Sequence, residues 1–132
     1  MPPRRILVVD DDPSILRLVA TILRREKYHV DTANGGREAL SKLESAQYDV
    51  IVLDLMMPDI SGVDVLRSLE ARHTRMRCVI VLSAASSLDV AHSVNSNVFS
   101  ALRKPFDNEA LVDAVRRCID AVCDVPVMPA AA

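Results

Sequence analysis

The chain has 132 residues, half of them hydrophobic, and 16 basic against 18 acidic side chains give a formal net charge of −2. A near-neutral chain with this apolar content is not a disordered tail. Three glycines without a glycine-rich motif argue against a dinucleotide-binding loop or a Walker phosphate loop.

Two tyrosines and two phenylalanines are too few for a platform that stacks nucleic-acid bases, so no direct nucleic-acid partner is predicted. No apolar run reaches the roughly 18 residues of a membrane helix, and the N-terminus lacks the features of a signal peptide. We therefore predict a cytoplasmic protein without a membrane partner. Cys78, Cys118 and Cys123 are odd in number and lack metal-binding spacing, so we predict reduced thiols.

Short aliphatic runs alternate with segments of helical periodicity along the chain. The predicted strands are residues 6–9, 29–33, 50–53, 78–82 and 98–102. The predicted helices are 14–27, one around Ala39 to Leu43, one around Val63 to Leu69, a weak one at 86–95, and 107 to about 123. Unbroken apolar strands are typical of a parallel sheet buried on both faces, so the predicted class is α/β.

The first helix has a local start signal. Asp12 is a suitable N-cap, and Pro13 suits the first helical position because the missing N–H would have no helical partner there. At the other end, we expect one domain over residues 1–123 and a flexible tail over residues 124–132, which contains two prolines and three terminal alanines.

Polar side chains follow the predicted strands where each one ends. Asp10 and Asp11 follow the first strand, Asp54 the third and Ser83 the fourth, and Lys104 comes after the fifth. In an open α/β sheet these ends form the ligand-binding edge, so the side chains should converge on one pocket.

The predicted pocket contains several carboxylates and therefore requires a cation. Two like charges about 4 Å apart repel by about 4 kcal/mol at an effective dielectric near 20. A set of oxygen ligands favours Mg²⁺, which is often completed by a phosphate of the substrate. Lys104 and Ser83 could contact phosphate oxygens, and Asp54 is the best candidate for a nucleophile that forms an aspartyl phosphate.

Four segments together resemble a known family, the response-regulator receiver domain. They are the strand and acidic turn 6–14, the strand and loop 52–62, the strand end 81–84, and Lys104-Pro105-Phe106. The resemblance extends from Arg4 to about Cys123. It implies a flavodoxin-like, doubly wound sheet of five parallel strands in the order 2-1-3-4-5, with helices on both faces.

The resemblance also implies ligands for Mg²⁺. Asp11, Asp54 and the backbone carbonyl of Met56 would bind the ion directly, and Asp10 would act through water. Asp54 would accept a phosphoryl group from a sensor histidine kinase or a phosphotransfer protein.

Lys104 would pair with this phosphoryl group, and Ser83 would move to form a hydrogen bond with it. The change would reach a surface made by the predicted helix 86–95, the fifth strand and the final helix, which could also support a homodimer. The Lys104–Pro105 bond is expected to be cis. The implied protein is a signalling switch with an unknown output partner, and not an enzyme beyond its own phosphorylation and dephosphorylation.

Two departures from the family pattern affect these expectations. Ala101 stands where the family usually has an aromatic residue that takes part in switching, and Phe99 would share its face of a regular strand. Met56 and Ala85 are apolar at positions that often hold polar groups orienting hydrolytic water. We therefore expect a long-lived phosphoryl group.

Two other functions remain open from the sequence. Ala101 is compatible with a pseudo-receiver, an interaction module on the same fold that works without phosphorylation. Asp10 and Asp12 also match the spacing of the nucleophile pair in haloacid-dehalogenase-type phosphatases. That alternative needs a cap domain and a late acidic pair, and the sequence has neither.

Overall fold

The structure is a computed structural model that describes residues 4–71, 78–83 and 98–124, with side chains to residue 121. Its strands are β1 (Arg5–Val9), β2 (His29–Ala33), β3 (Val50–Asp54), β4 (Val79–Ser83) and β5 (Val98–Arg103). Its helices are α1 (Pro13–Arg25), α2 (Gly36–Ser45), α3 (Gly62–Ala71) and α4 (Asn108–Asp124). The predicted helix 86–95, Ala85 and the predicted tail beyond residue 124 lie outside the described residues.

All five strands are parallel and form one sheet in the order β2-β1-β3-β4-β5. The central strands β3 and β4 are buried at every position, which explains why their sequences are apolar without alternation. The predicted α/β class and strand order are confirmed. Among the described residues, no helix combines the length and the apolar character that crossing a bilayer requires.

Helices cover both faces of the sheet and create two cores. Ile6 and Val8 of β1 point into a core shared with α1 and α4. Leu7 and Val9, which alternate with them, point into a second core shared with α2 and α3. Because both cores are closed by helices, the polar groups at the ends of the strands are the ones left to form a site.

The predicted start of α1 is confirmed by its hydrogen bonds. Asp12 is the N-cap, and its side chain accepts a 2.9 Å hydrogen bond from the Ser14 amide. Pro13 opens the helix, where it leaves no intrahelical bond unmade. The turn that carries the acidic residues is therefore anchored by the helix that follows it.

The edge strand β5 contains a β-bulge that the sequence did not predict. Val79 pairs with Val98, but the next residue of β4, Ile80, pairs with Ser100, so Phe99 is the extra residue. Val98 and Ala101 consequently pack against the same core, whereas Phe99 is 42% exposed. The prediction that Phe99 shares the face of Ala101 is wrong because the bulge breaks the alternation.

The prediction of reduced thiols is also corrected for two of the three cysteines. The structure pairs Cys78, directly before β4, with Cys118 of α4 as a disulfide, and their Cα atoms lie 6.1 Å apart. This separation falls within the range that a disulfide spans. The prediction relied on local spacing, whereas the pairing joins residues 40 positions apart.

Candidate functional site

Three polar side chains are buried at the carboxyl-end edge of the sheet. Asp10, Asp54 and Ser83 are 0%, 3% and 2% exposed, and no other polar or charged side chain is as buried in the described part of the chain. Each lies at the end of a strand or directly after one, as the sequence predicted. Burial of charged groups requires partners, so the contacts of these residues decide what the site can do.

Lys104 provides the positive charge between the two buried carboxylates. Its Nζ lies 3.0 Å from Asp10 Oδ2 and 3.3 Å from Asp54 Oδ2. Burial alone would lower the pKa of Lys104, but the contacts with Asp10 and Asp54 outweigh it and raise that pKa. The ammonium group is therefore held in its charged form between the two buried carboxylates.

Backbone hydrogen bonds fix the two elements that carry Lys104 and Asp10. The Lys104 amide donates to the Ser83 carbonyl oxygen over 2.8 Å, which ties the end of β5 to the end of β4. The Asp12 amide donates to Asp10 Oδ1 over 2.9 Å. The predicted cis peptide between Lys104 and Pro105 is present.

Asp54 binds protons more tightly than an ordinary aspartate. Burial raises its pKa to about 6, the negative charge of Asp10 acts in the same direction, and the Met56 amide and Lys104 oppose the rise. That amide donates to Asp54 Oδ1 over 3.1 Å, and the Met56 side chain itself is 74% exposed. Asp54 is thus a buried carboxylate that is still ionised at neutral pH and is held by the Met56 amide.

The described residues contain one cluster that could hold a metal ion. Carboxylate oxygens of Asp10, Asp11 and Asp54 all lie within 4.8 Å of one another, with Asp11 exposed and the other two buried. Three carboxylates, of which only Asp11 is exposed to solvent, suit a hard cation such as Mg²⁺, which keeps several of its waters. One lysine near three acids leaves a negative pocket, so the side chains present fit the predicted ion.

Gly62 is a site residue whose role the sequence analysis missed. It begins α3, and its amide donates to the Leu55 carbonyl oxygen over 3.1 Å. A Cβ atom on Gly62 would overlap the Asp54 carbonyl oxygen and approach Leu55 Cα to 2.6 Å. Glycine therefore lets the start of α3 lie directly against the backbone of Asp54. The sequence signal that could have indicated this role is that Gly62 ends segment 52–62, one of the four segments that resemble the receiver family.

Ala101 lies on β5, and β4 separates this strand from β3, which carries Asp54. It pairs in register with Val81 of β4 and packs against the core shared with α2 and α3. Phe99 is exposed and therefore does not take the place of the aromatic residue that the family usually has at position 101. The structure thus brings Asp10, Asp54 and Lys104 into direct contact, with Asp11 and Ser83 at the same edge.

Comparisons with known proteins agree with this geometry. A family model described as the response regulator receiver domain matches residues 6–116. The transcriptional regulatory protein TrcR of Mycobacterium tuberculosis is 33% identical over 114 residues, which cover 86% of this chain and 44% of that protein. The DNA-binding response regulator MtrA of Mycolicibacterium smegmatis is 34% identical over 113 residues, covering 86% of this chain and 49% of that protein. The chain thus spans less than half the length of both relatives.

Two solved structures resemble the chain over nearly their whole length. The response regulator TrrA of Thermotoga maritima, in complex with Mg²⁺ and BeF, is 35% identical with a TM-score of 0.76. That comparison covers 87% of this chain and 98% of the other. The chemotaxis protein CheY4 of Vibrio cholerae is 29% identical with a TM-score of 0.80, covering 89% of this chain and 99% of the other.

Proposed function

The chain belongs to the response-regulator receiver domain family, a family of two-component signalling switches, and we propose that Asp54 is its phosphoacceptor. A sensor histidine kinase or a phosphotransfer protein would be the donor. The observation that carries the proposal is the buried Asp54 carboxylate in direct contact with Lys104 and beside two further acids. The receiver unit would be residues 1–123, followed by a flexible tail.

The proposed reaction transfers a phosphoryl group between two side chains. An Asp54 carboxylate oxygen attacks the phosphorus atom, a P–O bond forms, and the P–N bond to the donor imidazole breaks with its electron pair left on nitrogen. Asp54 must be ionised to attack, and a pKa of about 6 leaves it ionised at neutral pH. Lys104 Nζ, 3.3 Å from Asp54 Oδ2, would neutralise charge that develops on the phosphoryl oxygens.

Mg²⁺ is the proposed cofactor. Asp10, Asp11, Asp54 and the Met56 backbone carbonyl would hold it, with Asp10 acting through water. When bound, the ion supplies charge neutralisation for the phosphoryl oxygens. The complex of TrrA with Mg²⁺ and BeF lends support, because TrrA has the same fold and is 35% identical to this chain.

The output of the switch would be a change of surface. A phosphoryl group adds about −1.5 to −2 charge, enough to bias an element with two arrangements. Ser83, buried at the end of β4, would form a hydrogen bond with the phosphate. The affected surface would comprise the predicted helix 86–95, β5 and α4, where an output partner or a second copy of the chain could bind.

Intact-mass measurement tests the phosphoacceptor directly. The chain is incubated with a small phosphodonor and Mg²⁺, and the wild type should gain one phosphoryl group. Asp54→Asn should gain none. Asp59→Asn is the matched control, because Asp59 lies in the following loop, is exposed and pairs with Arg37. Equal gain by wild type and Asp54→Asn would show that Asp54 is not the acceptor.

A pseudo-receiver is the second candidate, favoured by Ala101 and by the outward position of Phe99. Beryllium fluoride with Mg²⁺ distinguishes the two functions, since it mimics an aspartyl phosphate without transfer chemistry. Binding that disappears in Lys104→Gln supports the phosphoacceptor. Absence of binding by the wild type supports the pseudo-receiver. The family match gives no support to a haloacid-dehalogenase-type phosphatase.

We also propose that the phosphoryl group is long-lived. The Met56 side chain is 74% exposed beside Asp54 and offers no group that could orient water for hydrolysis. Loss of label from the phosphorylated chain in buffered Mg²⁺ should be slow, and Met56→Asn should accelerate it. Rapid loss from the wild type, without any phosphatase, would contradict this proposal.

A further inference from the structure

Two cysteines meet inside the core between the sheet, α1 and α4. Cys78 and Cys118 are both fully buried and belong to the same apolar cluster. Their Cα atoms lie 6.1 Å apart, so a disulfide can close without movement of the backbone. The cysteines are remote in sequence, and the fold alone brings them together.

The pair connects elements that matter to the site at the opposite end of β4. Cys78 directly precedes this strand, and its carbonyl oxygen accepts a 3.1 Å hydrogen bond from Ile51 of β3. Ser83 closes the same strand. Cys118 lies in α4, so a bond between the two sulfurs fastens the strand carrying Ser83 to the final helix.

We propose that Cys78 and Cys118 form a reversible redox site whose disulfide braces β4 against α4. The oxidant would be a hydroperoxide. One thiolate attacks an oxygen of the peroxide, the O–O bond breaks, and a sulfenic acid and an alcohol or water result. The second thiolate then attacks this sulfur and releases water, so two thiols lose two electrons and two protons. A dithiol reductant reverses the reaction by exchange.

Burial and loop length determine how the site behaves. Because both sulfurs are fully buried, oxidation has to follow local opening and should be slower than that of an exposed thiol. The closed loop spans 40 residues, and a disulfide that closes a long loop restricts the unfolded chain strongly. The oxidised chain should therefore melt at a temperature higher by on the order of 10 °C.

Cys123→Ala provides a background with only the proposed pair. This variant is treated with hydrogen peroxide and then denatured in the presence of an alkylating reagent. The mass of the intact chain is measured. We expect a chain lighter by two hydrogen atoms with no alkyl group, and two alkyl groups after treatment with dithiothreitol. Two alkylated thiols after peroxide, oxygen atoms that peptide mapping places on Cys78 or Cys118, or a covalent dimer would each overturn the proposal; oxygen on any of the five methionines is sulfoxide and is subtracted from the mass.

Melting temperature supplies a second readout, which does not require Cys78 or Cys118 to be replaced. Oxidised and reduced forms of the Cys123→Ala chain have the same sequence, so only the bond between the sulfurs differs. Cys118→Ala in the same background should show no change on oxidation. Equal melting temperatures for the two redox forms would refute the brace, whatever the outcome of phosphorylation at Asp54.

Discussion

Replacing Asp54 with asparagine removes a carboxylate that holds its proton up to a pKa of about 6, because it is buried and lies near the charge of Asp10. A raised carboxylate pKa means that the folded state binds the proton more tightly than the unfolded state. Ionised Asp54 therefore destabilises the metal-free protein. This cost appears as pH rises through the unfolded value of 3.8 and is complete above about 6.

The size of the effect follows from the shift. About two pKa units at 1.36 kcal/mol each give about 3 kcal/mol at pH 7.5. At pH 4 the same shift gives about 0.5 kcal/mol, because the cost accumulates only above the unfolded pKa of 3.8 and pH 4 lies just above that value. Asparagine also leaves Lys104 with one partner in place of two, which reduces the gain. We expect Asp54→Asn to be more stable than wild type at pH 7.5, with a free energy of unfolding higher by about 1–3 kcal/mol.

Urea unfolding in EDTA at pH 7.5 and pH 4 measures this difference. The stability that Asp54→Asn gains over wild type should be at least twice as large at pH 7.5 as at pH 4. Asp11→Asn is the matched control, since Asp11 belongs to the same cluster but is exposed; it should change stability by less than about 1 kcal/mol. A variant less stable than wild type at pH 7.5, or a gain independent of pH, would refute the reasoning.

Two further predictions concern packing and an alkaline transition. Gly62→Ala should lower the free energy of unfolding by more than about 2 kcal/mol in urea titrations, because its Cβ has no room; Gly35→Ala, whose Cβ meets nothing within 4 Å, should change it by less than about 1 kcal/mol. Burial raises the pKa of Tyr48 to about 12, helped by its hydrogen bond to Asp31. The folded state thus keeps a proton that the unfolded state releases near pH 10, and the stability of wild type relative to Tyr48→Phe should fall by about 2 kcal/mol between pH 10 and pH 12. A difference in unfolding free energy between the two proteins that stays constant from pH 10 to pH 12 would contradict the second prediction.

The fold was predictable because its signals are short-range or periodic. Unbroken apolar runs identified β3 and β4, and the helix start at Asp12 and Pro13 depends only on adjacent residues. The placement of polar groups at one edge then followed from the parallel arrangement of the strands. The family resemblance supplied the strand order, which periodicity alone does not determine.

The features that the sequence did not predict depend on partners distant in the chain. The bulge at Phe99 exists only relative to its neighbour β4, so alternation within β5 could not reveal it. The contact between Cys78 and Cys118 requires β4 and α4 to pack together. The close approach of Gly62 to Asp54 likewise depends on how a loop folds back onto the strand it has left.

The site carries more negative than positive charge, and this imbalance predicts that it binds a cation. Lys104 contacts both Asp10 and Asp54, but one ammonium group cannot neutralise two buried carboxylates and the exposed Asp11 beside them. Burial and, to a lesser extent, the uncompensated charge of Asp10 raise the pKa of Asp54, so its ionised form costs stability in the absence of a cation. A divalent cation bound only by the folded chain would remove that cost. Excess Mg²⁺ should therefore stabilise wild type more than Asp54→Asn, because the stability lost in the free protein is recovered when the ion binds.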